Sequence, residues 1–293
     1  MIKTTQLKFA ALVAGTLFSI HSLAGSTGGG GGSSSGFSDL FDEAEGDGRC
    51  SVNRVTPFGS DSTFYVPSDP SNSNARFNIL GWGNGTGGTS STYSSLLETI
   101  ASHCILVAAA NTANSGTGSE VEDAVDSARS RYSNILQTNA KVCTSGHSQG
   151  GGGSFNAANR LDAECVIAVQ ADTLYTTSID DDLARDVEVI ALWGSSDTLA
   201  PASSNRRNVE GASSILTQVE TDGEGHFEPT SSRGGDIGTM FRMAAKAQLS
   251  TDSAEATRFR GAFWGPTTDN TVTEDASEIS DVRRDSGATN TNP

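Results

Sequence analysis

The feature that most constrains the fold is the sequence Gly146-His147-Ser148-Gln149-Gly150, which has the G-x-S-x-G spacing of a nucleophile elbow. In that motif a strand ends in a sharp turn and a helix begins, and the turn holds the serine in a strained backbone conformation with its hydroxyl clear of the sheet. The flanking positions must be small because strand, turn and helix pass close together. The chain contains 33 glycines, so a G-x-S-x-G match can arise by chance. The motif therefore needs support from the predicted strands and helices around it.

Apolar runs and helical periodicities alternate along the chain on both sides of this motif. Strands are predicted at residues 50–56, 62–66, 75–80, 104–110, 141–144, 165–170, 187–193 and 215–220. Helices are predicted at residues 93–102, 120–136, 149–161 and 235–249. Several strands are continuously apolar, which is typical of parallel strands buried on both faces. The alternation predicts an α/β fold with a mostly parallel central sheet and helices on both faces.

The first residues have the organisation of a secretory signal peptide. Lys3 and Lys8 provide a positively charged start, residues 9–20 form an apolar core, and a small-residue segment precedes Gly25. We expect residues 1–24 to be removed on export. The sequence therefore predicts a secreted protein, either extracellular or periplasmic.

Two regions of different composition follow the signal peptide. Residues 25–36 contain only glycine, serine and threonine, which is typical of a flexible linker. Residues 37–293 are expected to form one α/β domain that carries the candidate catalytic residues. The tail from about residue 266 is polar and acidic, and the sequence leaves its order open.

The charge of the chain excludes some partners. Its formal net charge is −16 at pH 7, which disfavours binding to nucleic acid or to an anionic membrane. The acidic surface fits a saline habitat or plain solubility, and the sequence does not separate the two. No cluster of metal-ligand residues is apparent in the sequence, so we expect no cofactor and no metal ion, and we expect a monomer.

A nucleophilic serine needs a base that accepts its proton, and the base needs a carboxylate that fixes its tautomer. The four histidines are His21, His103, His147 and His226. The first lies in the signal peptide, the second directly precedes a buried strand, and the third is next to Ser148 and is expected to point away from it. The candidate base is therefore His226, in the loop after the strand at residues 215–220.

The candidate acid follows from the chain order of the triad, because α/β proteins with a nucleophile elbow have the order serine, acid, histidine. Asp197 lies in a turn directly after the strand at residues 187–193 and is the candidate acid. Asp172, after the preceding strand, is the alternative acid. A tetrahedral intermediate also needs N–H donors for its oxyanion. These are predicted at Gln149, directly after the serine, and in the glycine-rich segment 81–88.

At this point the sequence resembles the bacterial cutinase and polyester hydrolase family, which includes the PET hydrolases, within the dienelactone-hydrolase-like α/β hydrolases. The matching segments are residues 101–103, 146–154, 157–159, 197–201 and 225–226. The resemblance extends from about residue 62 to about residue 265 and implies an α/β-hydrolase fold with a shallow cleft and no large lid. It also implies a catalytic triad of Ser148, Asp197 and His226, and oxyanion donors at Thr86 and Gln149.

The chain departs from this family at the positions that clamp aromatic polyester units. The family has an aromatic residue, a methionine and a tryptophan where this chain has Thr86, Gln149 and Thr173. We expect the substrate-binding residues to include Thr173 together with nearby apolar groups that replace the clamp. These apolar candidates are Trp82, Leu174 and Tyr175.

Two classes of function are consistent with the sequence. The first is a secreted serine carboxylic-ester hydrolase that forms an acyl-enzyme and is cutinase-like or acts on polyesters, with a small-ester esterase or lipase as the alternative. The second is a secreted, non-catalytic binding module on a hydrolase scaffold. The presence of Ser148, Asp197 and His226 favours the enzyme.

Four cysteines in an exported protein predict two disulfides, for which three pairings exist. Cys143 and Cys165 lie in two strands that are expected to be parallel neighbours, close enough for a bridge if their register matches. Cys50 and Cys104 would then form the second pair. Four free thiols, or a link between Cys104 and Cys143, would indicate a different strand order or compartment.

Overall fold

The computed structural model describes residues 36–173, 177, 187–209, 215–264 and 279–284. The predicted signal peptide, residues 25–35 of the predicted linker, and two predicted substrate-binding residues, Leu174 and Tyr175, lie outside these ranges. None of the helices in the described ranges has the length and apolar character needed to span a bilayer.

Nine strands of the described residues form one sheet. Their bounds are β1 Ser51–Val55, β2 Ser62–Ser68, β3 Ile79–Gly83, β4 Leu106–Ala110, β5 Val142–His147, β6 Cys165–Val169, β7 Glu188–Gly194, β8 Ile215–Thr221 and β9 Ile279–Arg284. Their order across the sheet is β1-β2-β4-β3-β5-β6-β7-β8-β9. The β1/β2, β2/β4 and β8/β9 pairs are antiparallel, and the other five pairs are parallel. The order of the first eight strands, with β2 reversed, is that of an α/β-hydrolase fold, as predicted.

Helices cover both faces of this sheet. Their bounds are α1 Phe37–Glu45, α2 Ser94–Ser102, α3 Ser119–Arg131, α4 Gln149–Leu161, α5 Ala202–Val209, α6 Gly235–Leu249 and α7 Ser253–Trp264. One apolar core lies between the sheet and α1, α2, α6 and α7, and a second lies between the sheet and α3, α4 and α5. This arrangement leaves the carboxyl ends of the parallel strands as the edge where loops from several strands meet.

The largest departures from the predicted bounds are in β3 and α3. Strand β3 begins at Ile79 and continues to Gly83, so only the later part of the glycine-rich segment is a loop. Helix α3 ends at Arg131, earlier than residue 136. The chain leaves the helix there because the next segment pairs with the residues before β3, where the Phe77 N–H donates to the Ile135 carbonyl over 2.9 Å.

Four elements were not predicted, namely α1, α5, α7 and β9. The acidic segment after the linker forms α1, whose Phe37, Leu40 and Phe41 are buried at helical spacing against α6. Beyond α7, strand β9 pairs with β8 in antiparallel fashion, so the strand at residues 215–220 is not the last. Helix α1 and strand β9 depend on contacts with parts of the chain that are distant in sequence, which local patterns do not report.

The predicted disulfides are confirmed. Cys143 and Cys165 are direct partners in the register of β5 and β6, with Cα atoms 4.5 Å apart. Cys50 and Cys104 form the second bridge, with Cα atoms 5.3 Å apart. All four side chains are buried, so neither bridge is open to solvent in the folded protein.

Removing the bridge in the strand that leads to the candidate nucleophile should destabilise the fold. The Cys143–Cys165 bridge closes a loop with a sequence separation of 22. A loop of that size is expected to contribute about 3 kcal/mol by restricting the unfolded chain. We expect Cys143→Ala/Cys165→Ala to lower the free energy of unfolding by about that amount, measured by urea titration. An unchanged unfolding midpoint would contradict this expectation, and non-reducing peptide mapping of the parent protein provides the control.

Candidate active site

Ser148 lies between β5 and α4, the strand–turn–helix position that its motif predicts. Its backbone has φ 55° and ψ −119°, a conformation that residues other than glycine rarely adopt. A Cβ atom on Gly146 would collide with the backbone of Gly150, and one on Gly150 would collide with the backbone of Gly83. Glycine is therefore required at both positions of the motif, because β5, α4 and the end of β3 meet there.

The side chain of Ser148 begins a series of hydrogen bonds. His226 Nε2 is 2.9 Å from Ser148 Oγ, and His226 Nδ1 is 2.8 Å from Asp197 Oδ2. An ionised carboxylate can only accept, so Nδ1 carries the proton of the neutral ring and Nε2 accepts from the serine hydroxyl. The structure thus brings together the three side chains predicted as nucleophile, base and acid, each less than a tenth exposed.

Asp197 is oriented by the turn that follows β7. Its second oxygen, Oδ1, accepts hydrogen bonds from the backbone N–H groups of Leu199 and Ala200, both over 2.8 Å. These bonds leave Oδ2 directed at His226. The alternative acid, Asp172, lines the cleft near Ser148, but the carboxylate in contact with His226 is that of Asp197.

The loop after β3 lies directly beside the candidate nucleophile. It forms a turn in which Gly88 N–H donates to the Gly85 carbonyl over 2.9 Å, with Gly87 at φ 78°. Thr86, at the tip of this turn, is exposed and lines the cleft. Gln149 is the first residue of α4, where backbone N–H groups point out of the helix. Both predicted oxyanion donors therefore lie close to Ser148, and their role stays a prediction.

A cleft of about 710 Å³ opens above these groups. Its size is within the usual range for small-molecule sites. Two large apolar side chains on its rim are exposed to solvent, Leu199 by 50% and Phe227 by 68%. Sequence reasoning missed both, although Phe227 directly follows the candidate base and Leu199 lies two residues after the candidate acid. In the described residues no helix covers the cleft, in agreement with the expected absence of a large lid.

The structure changes the set of substrate-binding candidates. Trp82 is fully buried in the core, where its ring packs against Tyr93 and Phe241 and its indole N–H donates to Asn84 over 3.1 Å. It cannot contact a substrate, because Trp82 lies within β3, which extends farther than predicted, and its side chain points into the core. Thr173 donates its hydroxyl hydrogen to Asn208 and does not line the cleft.

The loop that carries His226 also contains a perturbed carboxyl group. Partial burial, with the nearby charges of Glu228 and Asp236, raises the pKa of Glu224 to about 7. The Asp236 N–H donates to Glu224 Oε1 over 2.9 Å, and the Glu224 carbonyl accepts from Ser196 N–H over 3.0 Å. These two contacts attach the loop to α6 and to the turn that carries Asp197.

Comparison with models of known protein families and with curated proteins finds no match to this chain. The strand order defines the fold class as that of an α/β-hydrolase-like protein, and the geometry of the site is what supports a function.

Proposed function

We propose that the protein is a serine carboxylic-ester hydrolase that works through an acyl-enzyme. The observation that carries this proposal is the hydrogen-bonded series Ser148–His226–Asp197 on the floor of an open cleft. A buried serine in a strained turn, bonded to a buried histidine and carboxylate, is an arrangement that packing alone does not require.

The geometry supports a two-step mechanism. His226 Nε2 takes the proton of Ser148 as Oγ attacks the ester carbonyl carbon, and Asp197 stabilises the imidazolium that results. The tetrahedral oxyanion then accepts hydrogen bonds from the backbone N–H groups of Thr86 and Gln149. The imidazolium donates its proton to the leaving alcohol oxygen as the C–O bond breaks. A water molecule, deprotonated by His226, hydrolyses the acyl-enzyme by the same steps.

The walls of the cleft favour substrates with an apolar part. Leu199 and Phe227 offer exposed apolar surface in the lining of the cleft, and threonines supply much of the remaining side-chain lining. Burial of such surface by a substrate contributes about 25 cal/mol per Å². More specifically, we propose a cutin-like or polyester substrate, because an open cleft can admit a polymer chain. A small-ester esterase or lipase is the alternative.

Two disulfides support the proposal that the protein is secreted. We also propose that it acts as a monomer and needs no cofactor, since the series of side chains described above supplies both the nucleophile and the base. A non-catalytic binding module would give no reason for the orientation of Asp197 towards His226.

The function is tested by reaction of the secreted protein with a fluorophosphonate and with p-nitrophenyl butyrate. We expect one phosphonyl group per molecule, located at Ser148 by peptide mass spectrometry, and steady hydrolysis of the ester. Release of soluble products from an amorphous polyester film then separates a polyester hydrolase from a small-ester esterase. Absence of both labelling and hydrolysis would refute the proposal and favour the binding module.

A further inference from the structure

The histidine next to the nucleophile takes part in a second series of hydrogen bonds. His147 Nε2 is 2.8 Å from the backbone carbonyl oxygen of His226, and His147 Nδ1 is 2.9 Å from Tyr93 Oη. Tyr93 Oη in turn accepts a hydrogen bond from the backbone N–H of Gly85 over 3.1 Å. The series therefore begins in the loop that carries Thr86 and ends in the loop that carries the candidate base.

Each proton in this series has a defined position. A carbonyl oxygen can only accept, so His147 Nε2 must carry a hydrogen and donate it to His226. His147 Nδ1 is then an acceptor in the neutral ring, and Tyr93 donates its hydroxyl hydrogen to it. The Tyr93 oxygen remains available as the acceptor for Gly85 N–H. All three bonds are thus satisfied at once with only one arrangement of hydrogens.

The environment keeps these groups in that state. Tyr93 and His147 are 3% and 2% exposed. Burial lowers the pKa of His147 to about 3 and raises the pKa of Tyr93 to about 12. Both groups are therefore neutral in the range where a histidine base operates, and their polar atoms are already engaged in the hydrogen bonds described above. Their contribution has to come from position.

The loop of the candidate base has a second support of the same kind. Gln170, at φ 46° directly after β6, donates its side-chain N–H to the Gly225 carbonyl over 2.9 Å. Two consecutive carbonyl groups of the loop, those of Gly225 and His226, are thus held by buried side chains. The position of the His226 backbone is determined by these contacts as well as by the bond to Asp197.

We propose that Tyr93 and His147 are positioning residues that join the loop of Thr86 to the loop of His226 and so fix the distance between the oxyanion donors and the base. This inference rests on the proposed function. The two loops come from segments before and after Ser148 in the sequence, and the short series through Tyr93 and His147, the residue that precedes Ser148, connects them.

The proposal predicts a loss in kcat rather than in substrate binding. Proton transfer and oxyanion stabilisation both need their groups in place in the transition state, whereas the apolar rim at Leu199 and Phe227 contacts the substrate in the ground state as well. A displacement of about 1 Å in such a site costs about 10²-fold in rate. We expect Tyr93→Phe and His147→Phe each to lower kcat by about 10²-fold with little change in KM.

The sharpest test is a comparison of two replacements of the same histidine. In His147→Gln the amide nitrogen takes the place of Nε2 and can still donate to the His226 carbonyl, whereas His147→Phe cannot. We expect the kcat of His147→Gln to be at least about tenfold higher than the kcat of His147→Phe. The Tyr93→Phe/His147→Phe double variant should lose much less than the product of the single losses, because both changes break one series.

Controls separate this role from general stability. Tyr132→Phe removes a tyrosine hydroxyl at the end of α3, away from the cleft, and should leave kcat unchanged. Circular dichroism at the assay temperature checks that each variant is folded. If Tyr93→Phe does not fold, the two His147 variants carry the test.

The possible outcomes are distinguishable. An active parent protein whose Tyr93 and His147 variants are folded and keep kcat within about twofold would overturn the positioning role alone, since a 10²-fold effect is expected. Equal losses of kcat in His147→Gln and His147→Phe would show that the hydrogen bond from residue 147 to the His226 carbonyl is not the basis of the positioning role. A parent protein that neither hydrolyses p-nitrophenyl butyrate nor reacts with the fluorophosphonate would overturn the proposed function and this inference together.

Discussion

Replacing Ser148 with alanine is expected to lower kcat for ester hydrolysis by about 10⁶-fold, the loss found when the nucleophile of a serine hydrolase is removed. Ser148 Oγ is the atom bonded to His226 Nε2 at 2.9 Å, and alanine leaves no atom that can attack the carbonyl. A residual rate of about 10³–10⁴-fold over water is expected from the oxyanion donors and binding. The measurement is the initial rate on p-nitrophenyl butyrate, with fluorophosphonate labelling to exclude contamination by parent protein.

A matched control for this variant is available in β5, the strand that leads to Ser148. Ser145 is fully buried and donates its hydroxyl hydrogen to the Gly81 carbonyl over 2.9 Å. Ser145→Ala should therefore lose about 1 kcal/mol of stability while it keeps its activity. If Ser148→Ala retained more than a few per cent of the parent rate, the assignment of the nucleophile would be wrong.

Asp197→Asn should lower kcat by about 10⁴-fold, because it imposes the wrong tautomer on the base. The backbone N–H groups of Leu199 and Ala200 both donate to Asp197 Oδ1, so the oxygen of an asparagine amide will stay at that position. The amide nitrogen then faces His226 Nδ1 and donates to it. His226 Nε2 must carry the hydrogen instead, and it can no longer accept the proton of the serine.

Asp172→Asn is the control for this variant. Asp172 also lines the cleft, so both substitutions change a carboxylate of the site, but the carboxylate hydrogen-bonded to His226 Nδ1 is that of Asp197. We expect Asp172→Asn to change kcat by less than about tenfold, within the range of a modest electrostatic effect. A larger loss in Asp172→Asn than in Asp197→Asn would show that the acid has been assigned to the wrong residue.

For predicting the site, the most useful information in the sequence was the order of the candidate nucleophile, acid and base along the chain. Ser148, Asp197 and His226 each follow a predicted strand, and parallel strands bring their carboxyl ends to one edge of the sheet. Residues 29 and 78 positions from His226 in sequence therefore meet at hydrogen-bond distance. The same argument on neighbouring strands predicted the Cys143–Cys165 bridge.

The parts that sequence reasoning missed all depend on packing between distant segments. Trp82 was expected in the cleft and is instead in the core, because strand β3 continues through it. Helix α1 folds because α6 offers it an apolar face and a buried arginine, Arg242, whose Nε donates to the Ala44 carbonyl over 2.5 Å. An isolated helix of nine residues would be marginal in water.

The sequence by itself determined the class of fold and the identity of the candidate nucleophile, base and acid, because these follow from local periodicity and from the order of strands. Tertiary structure alone decided which apolar residues border the cleft, here Leu199 and Phe227, and which polar residues support the loops, here Tyr93 and His147. Those contacts join segments far apart in sequence, and their geometry is set by how helices and loops pack on the sheet, which no local pattern encodes.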